Sequence, residues 1–106
     1  LANEKGLVFE KGVVDRLLLL DVRELDEVML TKIGDPLHIP LGQVVENKDL
    51  ILELSQKVEK VIVICRVGGR SEKVVNFFDN FGVDNFYNLV GGINEYSKLD
   101  QTIISY

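Results

Sequence analysis

A chain of 106 residues, 46% hydrophobic and 27% charged, has room for one packed core and one domain, and can hold that core without covalent staples. A formal net charge of −5 argues against nucleic acid or an anionic membrane as a bulk partner, because both require clustered cations; a locally positive pocket stays open to it. One cysteine excludes an internal disulfide, and one cysteine with one histidine cannot supply a zinc site of the usual composition.

No stretch reaches the length of a membrane span, and no basic-then-apolar signal segment opens the chain, so a soluble, cytoplasmic protein is expected. The lone thiol fits a reducing compartment. The chain opens on Leu1 rather than Met, which leaves a longer parent chain with a tandem domain as an expectation.

Residues 1–16 show no clear period; Leu7 to Phe9 and Val13 to Val14 are the candidate edge strands there. Leu17 to Val22 (LLLLDV) is a short apolar run of the kind buried on both faces of a parallel sheet. Leu25, Val28, Met29 and Ile33 then share a helical face. The acids Glu24, Asp26 and Glu27 read as a solvated helix start, where negative charge suits the dipole. After Asp35-Pro36, His38-Ile39-Pro40 is an extended piece, since a residue before proline is pushed toward extended angles.

A second helical face combines Leu50, Ile51, Leu54 and Val58, behind a cap at Asn47. Val61 to Cys65 (VIVIC) is the second buried run. Val74, Val75, Phe78 and Phe81 make a third helical face, with Ser71 at its start and Gly82 just past its end. Phe77, Phe78 and Phe81 belong to a packing face. Phe86 to Val90 (FYNLV) is the third run, and a short helix after Gly91-Gly92 turns Ile93, Tyr96 and Leu99 inward. Strand alternating with helix predicts an α/β fold around a parallel sheet, one domain over 1–106, with no internal repeat and no low-complexity linker.

Chemistry concentrates between Val61 and Phe81. A cysteine at the carboxyl end of a buried parallel strand sits on the rim where open α/β sheets bind ligands. Behind Cys65 come Arg66, Val67, Gly68, Gly69, Arg70 and Ser71, the last opening a helix. Two glycines let the backbone curl and aim N–H groups inward as an anion nest, and the following helix adds its positive end. With the two arginines these features favour thiolate over thiol at Cys65. A free cysteine is more often an inert small hydrophobe, but a core cysteine has no use for two glycines and two arginines directly after it.

Cys65-Arg66-Val67-Gly68-Gly69-Arg70-Ser71 resembles the active-site loop of the rhodanese family. Asp21-Val22-Arg23-Glu24 is similar to that family's DVRE motif, His38-Ile39-Pro40 to its HIP motif, and Leu89-Val90-Gly91-Gly92-Ile93 to its LxGG[IM] segment, which an aromatic often follows, here Tyr96. The four occur in family order across residues 21–96. Leu37 stands where the family usually has glycine, Leu41-Gly42 where it commonly has Gly-Ala, and the first sixteen residues match poorly.

The resemblance implies a rhodanese-like fold, a small, mostly parallel sheet with helices on both faces. It implies a single-domain thiosulfate sulfurtransferase: a persulfide forms on Cys65, and Arg66, Val67, Gly68, Gly69, Arg70 and Ser71 bind the donor, with no cofactor and no metal. The donor would be thiosulfate or a polysulfide. The acceptor would be cyanide in an assay, or a cellular thiol such as that of a thioredoxin-like or sulfur-carrier protein, with neither nucleic acid nor membrane involved. Four residues separate Cys65 from Arg70, one fewer than in related phosphatases and arsenate reductases, which disfavours both activities. The loop also differs from the CG[ST]G[VI]T type associated with mercaptopyruvate. A non-catalytic rhodanese-like binding or regulatory module is the alternative; many such modules lack the cysteine. Asp21, Arg23 and Glu24 read as structural ion-pair and capping residues, and His38 as hydrogen-bonded scaffold, since an ionised thiolate requires no base.

Overall fold

The structure, a computed structural model, describes residues 12–106. Its elements in order are β1 (Val13–Val14), β2 (Leu17–Asp21), α1 (Leu25–Leu30), β3 (Leu37–His38), a 3-10 turn (Leu41–Gln43), α2 (Lys48–Ser55), β4 (Lys60–Ile64), α3 (Gly69–Asp79), β5 (Phe86–Asn88) and α4 (Gly92–Tyr96). Leu7 to Phe9, one candidate edge strand, lies outside the described residues; Val13–Val14 forms the other.

β2 pairs in parallel with β4 from Leu17↔Lys60 to Asp21↔Ile64, and β4 in parallel with β5 from Val61↔Phe86 to Val63↔Asn88. The free edge of β2 is shared. β1 takes its first half, antiparallel, and β3 its second half, parallel. This register brings the carboxyl ends of β2, β3, β4 and β5 to one rim. Asp21, His38, Ile64 and Asn88 end there, so four segments far apart in sequence converge where such sheets bind ligands.

Alternation sorts the strand residues. Leu18, Leu20, Val61 and Val63 are fully buried on one face, beneath Ile51 and Leu54 of α2 and Val74 and Phe78 of α3. Phe78 stacks on Phe86 with ring centroids 4.5 Å apart. Burying each such aliphatic side chain contributes about 1.5–3 kcal/mol, and truncating Phe78 to alanine would cost about 3–5 kcal/mol. The opposite face is covered less completely than two-sided burial would require. Leu17, Leu19 and Ile62 are half-buried and, with Val14, Ile33, Leu89 and Tyr96, line an apolar pocket of about 370 Å³. Ile93 of α4 is fully buried.

The strands stop one or two residues short of the apolar runs, at Asp21, Ile64 and Asn88. The first helix departs most from its periodic pattern. It ends at Leu30, it buries none of its residues, and Leu25 and Met29 are exposed. A six-residue helix has too few turns for its apolar period to select a core face; its position is set by Glu27 instead. Leu50 is likewise exposed, with Ile51 and Leu54 turned inward, and Val58 packs on the core from beyond the end of α2. Asn47 precedes α2 as expected, but its side chain donates to the Gln43 carbonyl at 2.8 Å rather than capping the helix. Phe81 and Leu99 lie past the ends of α3 and α4 and are exposed, while Tyr96 is half-buried.

Candidate active site

Cys65 follows the last residue of β4 and is 1% exposed. Gly68 N donates to its Sγ at 3.0 Å and Ser71 N at 3.4 Å, while Ser71 Oγ lies 3.3 Å away. Gly68 makes the turn possible. Its φ of 107° is ground L side chains rarely adopt, and it is the N-cap of α3, so the first N–H groups of that helix face the sulfur. Burial pushes the Cys65 thiol up. Hydrogen bonds from the Ser71 hydroxyl and from the main-chain N–H groups of Ser71, Gly68 and Arg70 outweigh it, so the net shift is downward. It is therefore the main chain and Ser71, more than the two guanidinium groups, that favour the thiolate.

The helix opens at Gly69, so Ser71 is not its first residue but sits buried in the first turn. Its hydroxyl faces Gly68 O at 3.1 Å, the side-chain oxygen of Asn88, and Cys65 Sγ. A hydroxyl carries one proton, and an ionised sulfur is the strongest acceptor of the three. Asn88 Nδ2 donates to Gly68 O at 3.2 Å and can satisfy that carbonyl when the hydroxyl turns to sulfur.

With N–H groups directed inward, the carbonyls of the loop point the other way, and α4 receives them. Ile93 N donates to Cys65 O at 3.0 Å and Asn94 N to Arg66 O at 3.1 Å. Gly92 permits that approach. A Cβ on it would lie 2.3 Å from Arg66 O and 2.6 Å from Cys65 O, and its φ is +63°. The paired glycines after Val90 thus serve the cysteine loop directly.

The two arginines part company. Arg70 turns to α1, where its Nη1 and Nη2 donate to Glu27 Oε1 and Oε2 at 2.7 and 2.9 Å. Glu27 is thus not the solvated acid expected at a helix start; its side chain is only 19% exposed. The Arg70 guanidinium holds its carboxyl down to about 2 against the opposing effect of burial, with help from the Glu24 N–H and the Tyr106 hydroxyl. Glu27 closes a capping box with Glu24 as well, so one carboxylate starts α1 and anchors the cysteine loop. Arg66 is exposed; its Nη2 donates to Tyr106 O, and its Cζ lies 5.1 Å from the centre of the Tyr106 ring. Val67 and Gly69, at the tip of the loop, are exposed.

Beneath the rim, Asp21 and Arg23 form a fully buried ion pair, with Arg23 Nε and Nη2 on the Asp21 carboxylate at 2.8–3.2 Å. The remaining Arg23 donors reach Thr31 O at 2.7 Å, Glu27 O at 3.1 Å and Tyr106 Oη at 2.9 Å. Such a pair survives burial because every donor is used. His38 Nε2 lies 2.6 Å from Arg23 O, to which it donates, as hydrogen-bonded scaffold. Glu24 joins Glu27 in the capping box at the start of α1.

Sequence reasoning missed Glu27, Asn88, Asn94 and Tyr106 as parts of this site. None of the four carries a local signal; Glu27 reads as one of three helix-start acids, and its carboxylate pairs with Arg70 rather than with Arg23 four residues before it. Among the described residues no cluster of three or more His, Cys, Asp or Glu is placed to hold a metal ion, and no helix is long and apolar enough to cross a membrane.

Residues 5–99 match the family model of the rhodanese-like domain. The chain is 34% identical over 94 residues to "Rhodanese-like/PpiC domain-containing protein 12, chloroplastic" of Arabidopsis thaliana, covering 88% of this chain and 31% of that protein. It is 31% identical to "Putative sulfur carrier protein YrkF" of Bacillus subtilis (78% of this chain, 43% of that one) and 34% identical to "Putative sulfurtransferase YtwF" of the same species (74% and 72%). It therefore spans less than half the length of the first two. Among solved structures, a rhodanese-related protein from Thermoplasma volcanium superposes with a TM-score of 0.72 at 27% identity, covering 86% of each chain.

Proposed function

The chain belongs to the rhodanese-like domain family, a family of sulfur transfer, and on that premise we propose that it is a sulfurtransferase carrying a sulfane sulfur on Cys65. The observation that carries this reading is the cradle around the sulfur, in which main-chain N–H groups and the Ser71 hydroxyl stabilise negative charge on Sγ. Thiosulfate or a polysulfide is the donor. The Cys65 thiolate attacks the outer sulfur of thiosulfate, a Cys65 S–S bond forms, the S–S bond of the donor breaks, and its electron pair leaves with sulfite. The acceptor then attacks the outer sulfur of the persulfide and the Cys65 thiolate returns. With cyanide as acceptor no proton, oxidant or cofactor enters the cycle; a thiol acceptor attacks as its thiolate, having given its proton to solvent.

Arg66, Val67, Gly68, Gly69, Arg70 and Ser71 form the donor site, with charge and N–H groups that suit an oxyanion. The acceptor is cyanide in an assay and a thiol in the cell. The name of YrkF as a sulfur carrier supports a protein acceptor. The lone thiol supports a reducing, cytoplasmic setting for this single domain. A non-catalytic module is the second reading; an intact cysteine whose hydrogen-bond donors favour the thiolate supports the enzyme.

The test is product analysis with thiosulfate and cyanide. Sulfite and thiocyanate in equal amounts are expected. Neither product with any sulfane donor would leave the binding module, and free phosphate from a phosphoester would point to the longer-loop chemistry.

A further inference from the structure

We propose that Tyr106 is a positioning residue that holds Arg66 across the mouth of the cysteine loop for the donor's oxyanion; the inference rests on the sulfur-transfer reading above. Arg66 is exposed, and an exposed arginine on its own samples many rotamers. Two contacts from one residue restrain it. The main-chain oxygen of Tyr106 accepts from Arg66 Nη2, and the Tyr106 ring lies against the guanidinium with Cζ 5.1 Å from its centre.

Tyr106 is itself held on three sides. Its N donates to Asn94 Oδ1 at 2.9 Å. Its hydroxyl donates to Glu27 Oε2 at 2.9 Å and accepts from Arg23 Nη1 at 2.9 Å. Just before it, Ile104 N donates to Thr31 Oγ1 at 3.1 Å. The phenol therefore bridges the buried Asp21–Arg23 pair and the Glu27–Arg70 pair. Through it, the position of Arg66 is referred to the same framework that fixes Arg70.

That framework divides the labour between the arginines. Arg70 has both terminal nitrogens committed to Glu27, whose charge offsets its own. A guanidinium carries five N–H donors, so Arg66, after its bond to Tyr106 O, keeps donors for an incoming oxyanion. The hydrogen bonds that lower the Cys65 pKa come from the Ser71 hydroxyl and the main-chain N–H groups of Ser71, Gly68 and Arg70, whereas Tyr106 meets the Arg70 side chain at the shared Glu27 carboxylate, away from those donors. Its loss should weaken donor binding and leave the nucleophile unchanged.

The test compares Tyr106→Ala and Tyr106→Phe with the parent chain by two readouts. One is KM against kcat for thiosulfate. The other is the sulfite concentration that protects Cys65 from iodoacetamide, which reports anion binding without turnover. For Tyr106→Ala we expect KM and the protecting concentration to rise about tenfold, with kcat and the unprotected alkylation rate within about twofold of the parent. Both variants keep the main-chain oxygen; Tyr106→Phe also keeps the ring, loses only the hydroxyl's bonds to Glu27 and Arg23, and should lose less than Tyr106→Ala in both readouts. If Tyr106→Ala fails to fold, Tyr106→Leu in the Arg66→Ala background replaces it, and there no further change in KM or protection is expected. An unchanged protecting concentration in Tyr106→Ala, a loss in Tyr106→Phe as large as in Tyr106→Ala, or a parent protein that sulfite does not protect would each overturn the proposal. Absence of sulfite release by the parent would overturn sulfur transfer instead, and the protection assay would still judge Tyr106.

Discussion

Glu27 grips the Arg70 guanidinium with two parallel hydrogen bonds of 2.7 and 2.9 Å across 43 positions of the chain. This fork joins the helix after the Asp21-Val22-Arg23 turn to the helix after Cys65. It fixes the far end of the cysteine loop, so the N–H groups of Gly68 and Ser71 hold their aim at the sulfur. The geometry is bidentate and mostly buried, the arrangement in which an ion pair has structural weight.

Acid sensitivity should follow from that pair. The Glu27 carboxyl falls from 4.5 to about 2 on folding. The folded state thus binds fewer protons than the unfolded state in that window, and stability rises with pH there. The contribution is complete above about pH 4.5 and is lost as pH falls toward 2. Denaturant melts of the parent and Glu27→Gln should differ most above pH 4.5 and converge toward pH 2. A difference that is constant across this range would contradict the assignment.

Ser71→Ala removes the hydroxyl 3.3 Å from Cys65 Sγ and keeps the Ser71 N–H. The pH midpoint of Cys65 alkylation should therefore move up in the variant, with the parent below an ordinary thiol and the fold retained. Iodoacetamide rates measured across pH would show it. Equal midpoints would assign the thiolate to the backbone alone.

Gly92→Ala is expected to be severe for its size. The added Cβ meets Arg66 O and Cys65 O, both main-chain atoms, and φ is +63°. Strain and overpacking together come to about 2–4 kcal/mol. A fall in Tm of about 10 °C or more is expected, with transfer impaired in what remains folded. Near-parental Tm and activity would show that α4 can retreat from the loop.

The α/β alternation was legible because β2, β4 and β5 each lie in a short apolar run, whereas the two-residue β1 and β3 carry no such run. Cys65 was legible because its glycines and arginines have no use in a core. What escaped was set by contacts between distant segments. Leu25 and Met29 share a helical face by spacing, yet α1 is too short for that period to matter and is placed by the charge of Glu27. Glu27 reads as one acid among three until Arg70 is folded against it. Nothing local marks Tyr106 or Asn94; they matter because the chain returns across the rim of the sheet to reach Arg66 and Arg23.

The central claim is that Cys65 carries the sulfur, and intact-protein mass tests it most directly. The parent chain and Cys65→Ser are exposed briefly to thiosulfate and to polysulfide, with and without cyanide afterwards. The account predicts the gain of one sulfur atom on the parent, removed by cyanide and absent from a Cys65→Ser variant that folds with parental Tm. A parent that gains no mass from either donor, or a variant that gains as much as the parent, would contradict it.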